Sequence, residues 1–270
     1  MAFNYWGNRI AKAQAIAYNK TRKDIDTEIR KQYKNLINSI INDFEATYDK
    51  LLNTIKDPDR TSITPADLYK LDKYWSMQSE LEKKLTRLGR RQIASLTKGF
   101  RQQWWGVYNA IDIKGLKAFS TIDDNAVTQI INQIWCADGK SWSQRIWENM
   151  SYLKETLNEG LLHCAVTGKS PSVLKQVLQE RFNVSYNRAD ALVRTELAHI
   201  QTQAAHQRYR DYGIQELEVL ADKDERQCEV CGKLHGKRYS INDKPPVPVH
   251  PRCRCCMVPV VKIPPNTDTE

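Results

Sequence analysis

The sequence lacks any hydrophobic run long enough to cross a membrane. Of its 270 residues, 41% are hydrophobic and 27% are charged, and no apolar stretch approaches the roughly 20 residues that a spanning helix needs. The N-terminus also lacks a basic region followed by an apolar core, which is what a secretory signal requires. We therefore expect a chain that is made in the cytoplasm and has no membrane partner.

Common signatures of catalysis are missing as well. The sequence contains no glycine-rich phosphate loop, no nucleophile elbow and no HExxH motif. Three of its five histidines, His163, His199 and His206, have no chemical partner that the sequence identifies. We interpret them as packing or surface residues, and the sequence does not predict an enzyme.

Basic residues outnumber acidic residues only in the first part of the chain. Residues 1–120 hold 22 Lys/Arg against 13 Asp/Glu, whereas residues 121–270 hold 19 of each, so the whole net charge of +9 belongs to the first part. Such asymmetry indicates an acidic partner for residues 1–120, either nucleic acid or a negatively charged protein surface.

Hydrophobic periodicity predicts a mainly α-helical chain. Apolar side chains over residues 22–56 recur at close to the helical period of about 3.6, which indicates one long helix ended by Pro58. Thr64 is a suitable cap for a second helix, which continues to about Phe100. Two long helices joined by a short link predict a helical hairpin.

Shorter elements are predicted after the hairpin. Residues 101–120 show no regular pattern and read as a connection. Ser185 is a suitable cap for the last helix of the chain. Helices are expected over about 123–135, 143–167, 171–182 and 186–212, and short strands near 216–219, 238–240 and 256–260.

These elements predict a mainly α fold with a small α+β C-terminal module. We expect an elongated basic helical region over 1–120, a compact domain over 121–263 and a flexible polar tail over 264–270. The short strands of the module offer little apolar surface, so a Cys/His cluster is expected to staple them together.

Five of the seven cysteines lie in the last fifty residues, in a spacing typical of a metal site. Cys228-x-x-Cys231 is followed, after eighteen residues, by His250, Cys253, Cys255 and Cys256. In a reducing cytoplasm clustered thiols are more often metal ligands than disulfides. We predict a structural zinc ion held by Cys228, Cys231, His250 and Cys253, with Cys255 as the substitute ligand. The alternatives are free thiols, or a disulfide formed on oxidation.

Arg194-Thr195-Glu196 lies inside a predicted helix. Residues two apart on a helix do not face each other, so Arg194 and Glu196 each need a partner elsewhere. A buried Glu196 could act as general base beside a metal-bound water. We favour a structural role, in which Arg194 binds carbonyls of the cysteine loop and Glu196 pairs with Arg252 or Arg254.

A basic run without any acidic residue occupies positions 83–101, and Trp104 and Trp105 follow at once. Basic side chains at helical spacing suit contact with DNA phosphates, but they also suit a solvated helix face. The candidate DNA-contacting residues are Lys83, Lys84, Arg87, Arg90, Arg91, Lys98 and Arg101.

Taken together, four segments resemble the head-morphogenesis domain of tailed bacteriophages, found in minor head proteins similar to the F protein of phage Mu. The N-terminal Tyr5-Trp6-Gly7-Asn8-Arg9, followed by a long helix, resembles the start of such proteins in phages of Gram-positive hosts. The four segments are Trp142 to Trp147, Leu192 to Glu196, Asp224 to Cys231 and His250 to Cys255.

The resemblance implies a minor capsid protein, present in few copies inside the virion near the portal vertex and made in the host cytoplasm. Its implied partners are the portal protein, viral double-stranded DNA, and the major capsid or scaffolding protein. Its implied role is in procapsid assembly and DNA packaging or delivery. Cys256 departs from the motif and leaves the choice among Cys253, Cys255 and Cys256 open.

A zinc-containing HNH-like nuclease is the alternative. A CxxC pair followed by His250 before a proline is similar to that motif, and Asp222, Asp224 and Glu225 could supply carboxylates. Such a nuclease needs a second histidine as general base, yet Val249 occupies the position before His250. The sequence therefore favours the head protein.

Overall fold

The computed structural model describes residues 5–54, 73–120, 122–167, 171–221 and 228–261. It confirms a mainly helical chain with a small C-terminal sheet. The helices are α1 (Tyr5–Thr54), α2 (Lys73–Ala110), α3 (Asp124–Asn132), α4 (Trp142–Thr167), α5 (Pro171–Asp211) and α6 (Glu229–Leu234). The strands are β1 (Glu216–Leu220), β2 (Arg238–Ser240) and β3 (Cys256–Pro259). Among the residues described, no helix combines the length and apolar character that crossing a membrane requires.

The chain divides into two compact units that alternate along the sequence. The unit that contains the strands, here the sheet unit, comprises Met1–Ile25, Leu96–Trp142 and Ala191–Glu270. The other, here the helical unit, comprises Asp26–Ser95 and Ser143–Asp190. Several of the long helices therefore contribute different segments to different units.

A three-stranded antiparallel sheet lies at the centre of the sheet unit. The strand order is β2-β1-β3, and Val219 of β1 is opposite Met257 of β3. Tyr209 of α5 is fully buried and donates its hydroxyl hydrogen bond to the Met257 carbonyl at 3.0 Å. Gln14 of α1 in turn donates to the Tyr209 hydroxyl at 2.8 Å. Buried polar bonds of this kind fix the two helices against the strand, because breaking one leaves a desolvated polar atom.

The helical unit is held by a buried polar group around Tyr33. The Tyr33 and Ser185 hydroxyls are 2.9 Å apart, and Asn149 of α4 donates to the Tyr33 hydroxyl at 3.2 Å and to the Ser185 carbonyl at 2.9 Å. Ser185 is fully buried inside α5. The predicted break between two helices at Ser185 is therefore wrong, because the serine hydroxyl binds another helix instead of capping its own.

Two other helix boundaries differ from the prediction. Helix α1 begins at Tyr5, well before residue 22, and buries Trp6 and Ile10. Helix α2 continues to Ala110, so the irregular connection expected after residue 100 is wrong for its first half. Trp104 and Val107 extend the buried stripe at helical spacing. The predicted start at Thr64, the link at Pro58 and the tail over 264–270 lie outside the described residues.

The packing of Gly89 in α2 against the Trp147 ring can be tested by substitution. A methyl group at Gly89 would lie 2.6 Å from the Trp147 ring, whereas one at Gly106 would meet only the Ala17 side chain at 3.8 Å. We expect Gly89→Ala to lower stability by about 1–2 kcal/mol, because the rigid indole must move. Gly106→Ala should raise it by about 0.5–1 kcal/mol through helix propensity.

Circular dichroism of the full chain during denaturant unfolding measures both changes. Gly106→Ala is the matched control, since it makes the same substitution in the same helix. Equal stabilisation by the two substitutions would show that Trp147 does not pack on Gly89.

Candidate metal centre

The first half of the cysteine cluster is a turn at the start of α6. Cys228 is the N-cap of this helix, and its Sγ accepts the backbone N–H of Cys231 at 3.3 Å. This bond brings the two Sγ atoms to the same side of the turn. A metal-ligating CxxC pair requires that arrangement.

The second half is a turn in the loop that precedes β3. The Cys253 N–H donates to the His250 carbonyl at 3.1 Å, which folds residues 250–253 back on themselves. Arg252 in the turn adopts a φ of 61°, in the left-handed region that most side chains avoid. Its N–H donates to the Thr195 hydroxyl of α5 at 3.1 Å, so a contact from outside the loop holds the turn in place.

Three ligand-atom distances in the cluster are close to those around a tetrahedral ion. His250 Nε2 lies 3.2 Å from both the Cys228 and the Cys231 Sγ atoms, and the Cys231 and Cys253 Sγ atoms are 3.8 Å apart. Tetrahedral zinc with Zn–S near 2.3 Å and Zn–N near 2.0 Å separates ligand atoms by about 3.8 Å for S···S and about 3.5 Å for S···N. These three pairs of ligand atoms are therefore close to the spacing that the ion would impose.

Cys231 belongs to both groups of ligand atoms in the cluster. Cys228, Cys231 and His250 form one group, and Cys231, Cys253 and Cys255 form the other, with the atoms of each group within 4.8 Å of one another. The structure thus places the four residues of the predicted zinc set and the substitute, Cys255, in two groups that share Cys231, and Cys253 is not in the group of Cys228 and His250. A metal ion could be held here, and the donor set of thiols and imidazole suits zinc.

The protonation preferences of the thiols differ. The hydrogen bond from the Cys255 thiol lowers the pKa of Cys253 to about 5, and the Cys231 amide lowers the pKa of Cys228. Burial raises the pKa of Cys231 to about 12, and the bond to Cys253 raises that of Cys255. A bound cation would lower the pKa of Cys231 and of Cys255 instead, because a coordinating thiol is deprotonated outright.

Glu196 is buried in α5 and has an identified partner. Its Oε2 accepts the Trp135 indole N–H at 2.9 Å, and the Trp135 ring stacks on His199 with centroids 4.2 Å apart. Burial lowers the pKa of His199 to about 4, so its ring is neutral at physiological pH. The predicted anchoring of the loop by Arg194 and Glu196 stays a prediction. The anchor that the structure describes is Thr195, which lies between them and was not predicted.

The seven basic residues predicted to contact DNA are in different environments. Lys84 binds the Ser39 hydroxyl at 2.5 Å and pairs with Asp43, and Lys83 pairs with Glu80 at 2.7 Å. Lys98 and Arg101 belong to the sheet unit, and Arg101 lies 3.9 Å from Asp124. Of the seven, Arg87, Arg90 and Arg91 are exposed and form no ion pair with the described residues.

The structure is that of a mainly helical protein whose small sheet module carries a cluster of thiols and an imidazole that could hold a metal ion. Residues 155–258 match the family described as Phage Mu protein F like protein. This match covers less than half of the chain and includes every residue of the cluster. It confirms the resemblance to a Mu F-like phage head morphogenesis protein over that segment. No curated protein and no solved structure matches the chain.

Metal content tests the cluster. We expect the chain purified without chelator to hold about one equivalent of zinc. Cys231→Ser should reduce this below about half an equivalent, because Cys231 belongs to both ligand groups. Cys136→Ser is the matched control, since Cys136 lies in neither group.

Elemental analysis of the purified variants measures the outcome, and separate Cys253→Ser and Cys255→Ser variants identify the fourth ligand. Retention of a full equivalent by Cys231→Ser would contradict the site. The carboxylates considered for the nuclease alternative, Asp222, Asp224 and Glu225, lie outside the described residues.

Proposed function

We propose that this protein is a minor capsid protein of a tailed bacteriophage that associates with the portal and supports procapsid assembly and DNA packaging or delivery. The observation that carries this proposal is the family match over residues 155–258. The matched segment contains the Cys/His cluster, strands β1 and β2, and all of β3 except its last residue. The module that these residues form is therefore the part expected to act in the phage head.

The metal is proposed to be zinc in a structural role, and the protein is proposed not to be an enzyme. Glu196, the carboxylate considered as a general base, is 3% exposed and binds Trp135. It is not part of either ligand group of the cluster. A base that is shielded from solvent and engaged by an indole is poorly placed to activate water. These contacts support a stapling role for the ion.

DNA contact is proposed for the exposed face of α2 in the helical unit. Arg87, Arg90 and Arg91 are spaced by three and four residues, which places them on one side of the helix. Exposed guanidinium groups without carboxylate partners suit phosphate oxygens. Lys83 and Lys84 are engaged by carboxylates and contribute less. The viral double-stranded DNA would be the ligand.

Portal-dependent incorporation tests the proposed role. The chain should co-purify with procapsids when the portal, scaffolding and major capsid proteins of the same phage are co-expressed with it. Procapsids assembled without portal should lack it, because portal contact is what is proposed to recruit the chain. Quantitative mass spectrometry of purified procapsids measures both. Equal incorporation with and without portal would contradict portal association.

Salt-dependent binding tests the DNA contact. Arg87→Gln with Arg91→Gln should weaken binding of double-stranded DNA and reduce the salt slope by about 0.9 for each phosphate that the variant no longer binds. Lys31→Gln with Lys34→Gln is the matched control, because it removes the same charge from the exposed side of α1. Fluorescence anisotropy measures the affinity.

The same protein preparation tests the nuclease alternative. We expect plasmid DNA to stay intact after incubation with added magnesium or manganese. Cleavage by the unaltered chain that is abolished in the Cys231→Ser variant would contradict the structural role and favour the nuclease. Identical salt slopes for the two double variants would contradict the assignment of DNA contact to α2.

A further inference from the structure

An open groove lies at the C-terminal end of α5, within the sheet unit. Its volume is about 520 Å³, and it is lined by Lys117 and Phe119 from the extended segment after α2 and by Arg210 and Asp211 from α5. A space of this size can accept a nucleotide-sized group. The groove shares no residue with the metal cluster or with the basic face of α2.

Phe119 presents its ring to solvent. It is 76% exposed, more than any other large hydrophobic side chain among the described residues. The Phe119 N–H donates to the Asp211 carbonyl at 3.1 Å, so the backbone is fixed at the end of α5. An exposed aromatic ring on a fixed backbone is a ready stacking surface.

Two cationic side chains line the groove together with the Phe119 ring. Lys117 and Arg210 are exposed, and their side chains form no ion pair within the part of the chain that the structure describes. The Asp211 carboxylate is occupied by the Tyr108 hydroxyl and by Gln207 at 3.0 Å. The groove therefore offers two cations and an aromatic face, while its one carboxylate is engaged.

Further charged groups lie near the groove, including Asp112, which accepts a hydrogen bond from the Tyr212 hydroxyl at 3.4 Å. Arg208 lies over the rings of Tyr108 and Tyr212, at 4.9 Å and 4.7 Å from their centroids. After burial, Lys244 and Arg210 are the next largest causes that lower the pKa of His206, to about 3. The three cations Lys117, Arg208 and Arg210 outnumber the two carboxylates of Asp112 and Asp211, and this excess of positive charge favours a polyanion.

We propose that this groove binds single-stranded nucleic acid, with a base stacked on Phe119 and the adjoining phosphates held by Lys117 and Arg210. Stacking on an exposed ring needs an unpaired base, because bases in a duplex already stack on their neighbours. The ring thus selects single strands, and the two cations bind the backbone without regard to sequence. This site is independent of the duplex contact proposed for α2, which lies in the other unit.

Binding of a labelled oligothymidylate of about 12 nucleotides to the full chain tests the proposal, since this length spans a typical single-strand site. Phe119→Leu should weaken binding roughly 5- to 100-fold, because it keeps apolar bulk but removes the ring face. Phe119→Trp should preserve binding. Lys117→Gln and Arg210→Gln should each reduce the salt slope by about 0.7, the value for one phosphate bound on a single strand.

Two matched controls lie in the same unit outside the groove. Ile134→Ala alters another exposed hydrophobic side chain, 51% exposed, and Lys237→Gln removes another exposed cation. Both should bind as the unaltered chain does. Circular dichroism and metal content identify any variant that fails to fold. Among folded variants, the comparison of Phe119→Leu with Phe119→Trp then tests whether oligonucleotide binding needs an aromatic ring at this position.

Three results would overturn the proposal. The first is equal affinity of Phe119→Leu and the unaltered chain for the oligonucleotide. The second is absence of binding at about 50 mM salt, where electrostatic contacts are strong. The third is an acidic polyglutamate peptide whose binding depends on Phe119 while that of the oligonucleotide does not. The Arg87→Gln/Arg91→Gln variant should retain full single-strand affinity, so failure of the α2 contact remains distinguishable.

Discussion

The position of Cys231 is the constraint on which the C-terminal module depends. The sheet has strands of five, three and four residues, and such short strands bury little apolar surface. Cys231 is the buried thiol that faces both halves of the cluster, 3.2 Å from His250 and 3.8 Å from Cys253. An ion at this point would link the α6 turn to the start of β3, which closes a loop that the sheet alone holds weakly.

Contacts from α5 also hold the cysteine loop and β3 in place. Thr195 receives the N–H of Arg252 in the cysteine loop, and Tyr209 donates to the Met257 carbonyl of β3. The two residues lie fourteen positions apart on one helix, so a single rigid element touches the loop before β3 and the strand itself. The left-handed backbone of Arg252 is tolerated because the turn is fixed from both sides. Helix α5 therefore acts as the support of the module.

The sequence predicted those elements that depend on neighbouring residues. Predictions were wrong or missing where a contact with a residue distant in the sequence determines the structure. The CxxC spacing, the strand near 216–219 and the helix predicted over about 123–135 depend on neighbouring residues. Serine is a residue type that often caps helices, but Ser185 binds the Tyr33 hydroxyl and Asn149 inside a continuous helix. Thr195 was missed because its neighbours Arg194 and Glu196 carry charge, whereas a hydroxyl leaves no sequence signal. Long-range hydrogen bonds of this kind become visible only after the fold brings their partners together.

The number of possible metal ligands in the cluster bears on whether a bound zinc ion would be catalytic or structural. A catalytic zinc keeps one position open for water, whereas a structural zinc fills all four with protein ligands. Five donors are available here, since Cys255 lies within 4.8 Å of Cys231 and Cys253. Because Cys231 lies within 4.8 Å of each of the other four donors, a thiol not bound to an ion at Cys231 would lie nearby and would compete with water for an open position. This surplus of thiols argues for a staple, and it directs the search for DNA contact to the cationic surfaces of α2 and of the groove at Phe119.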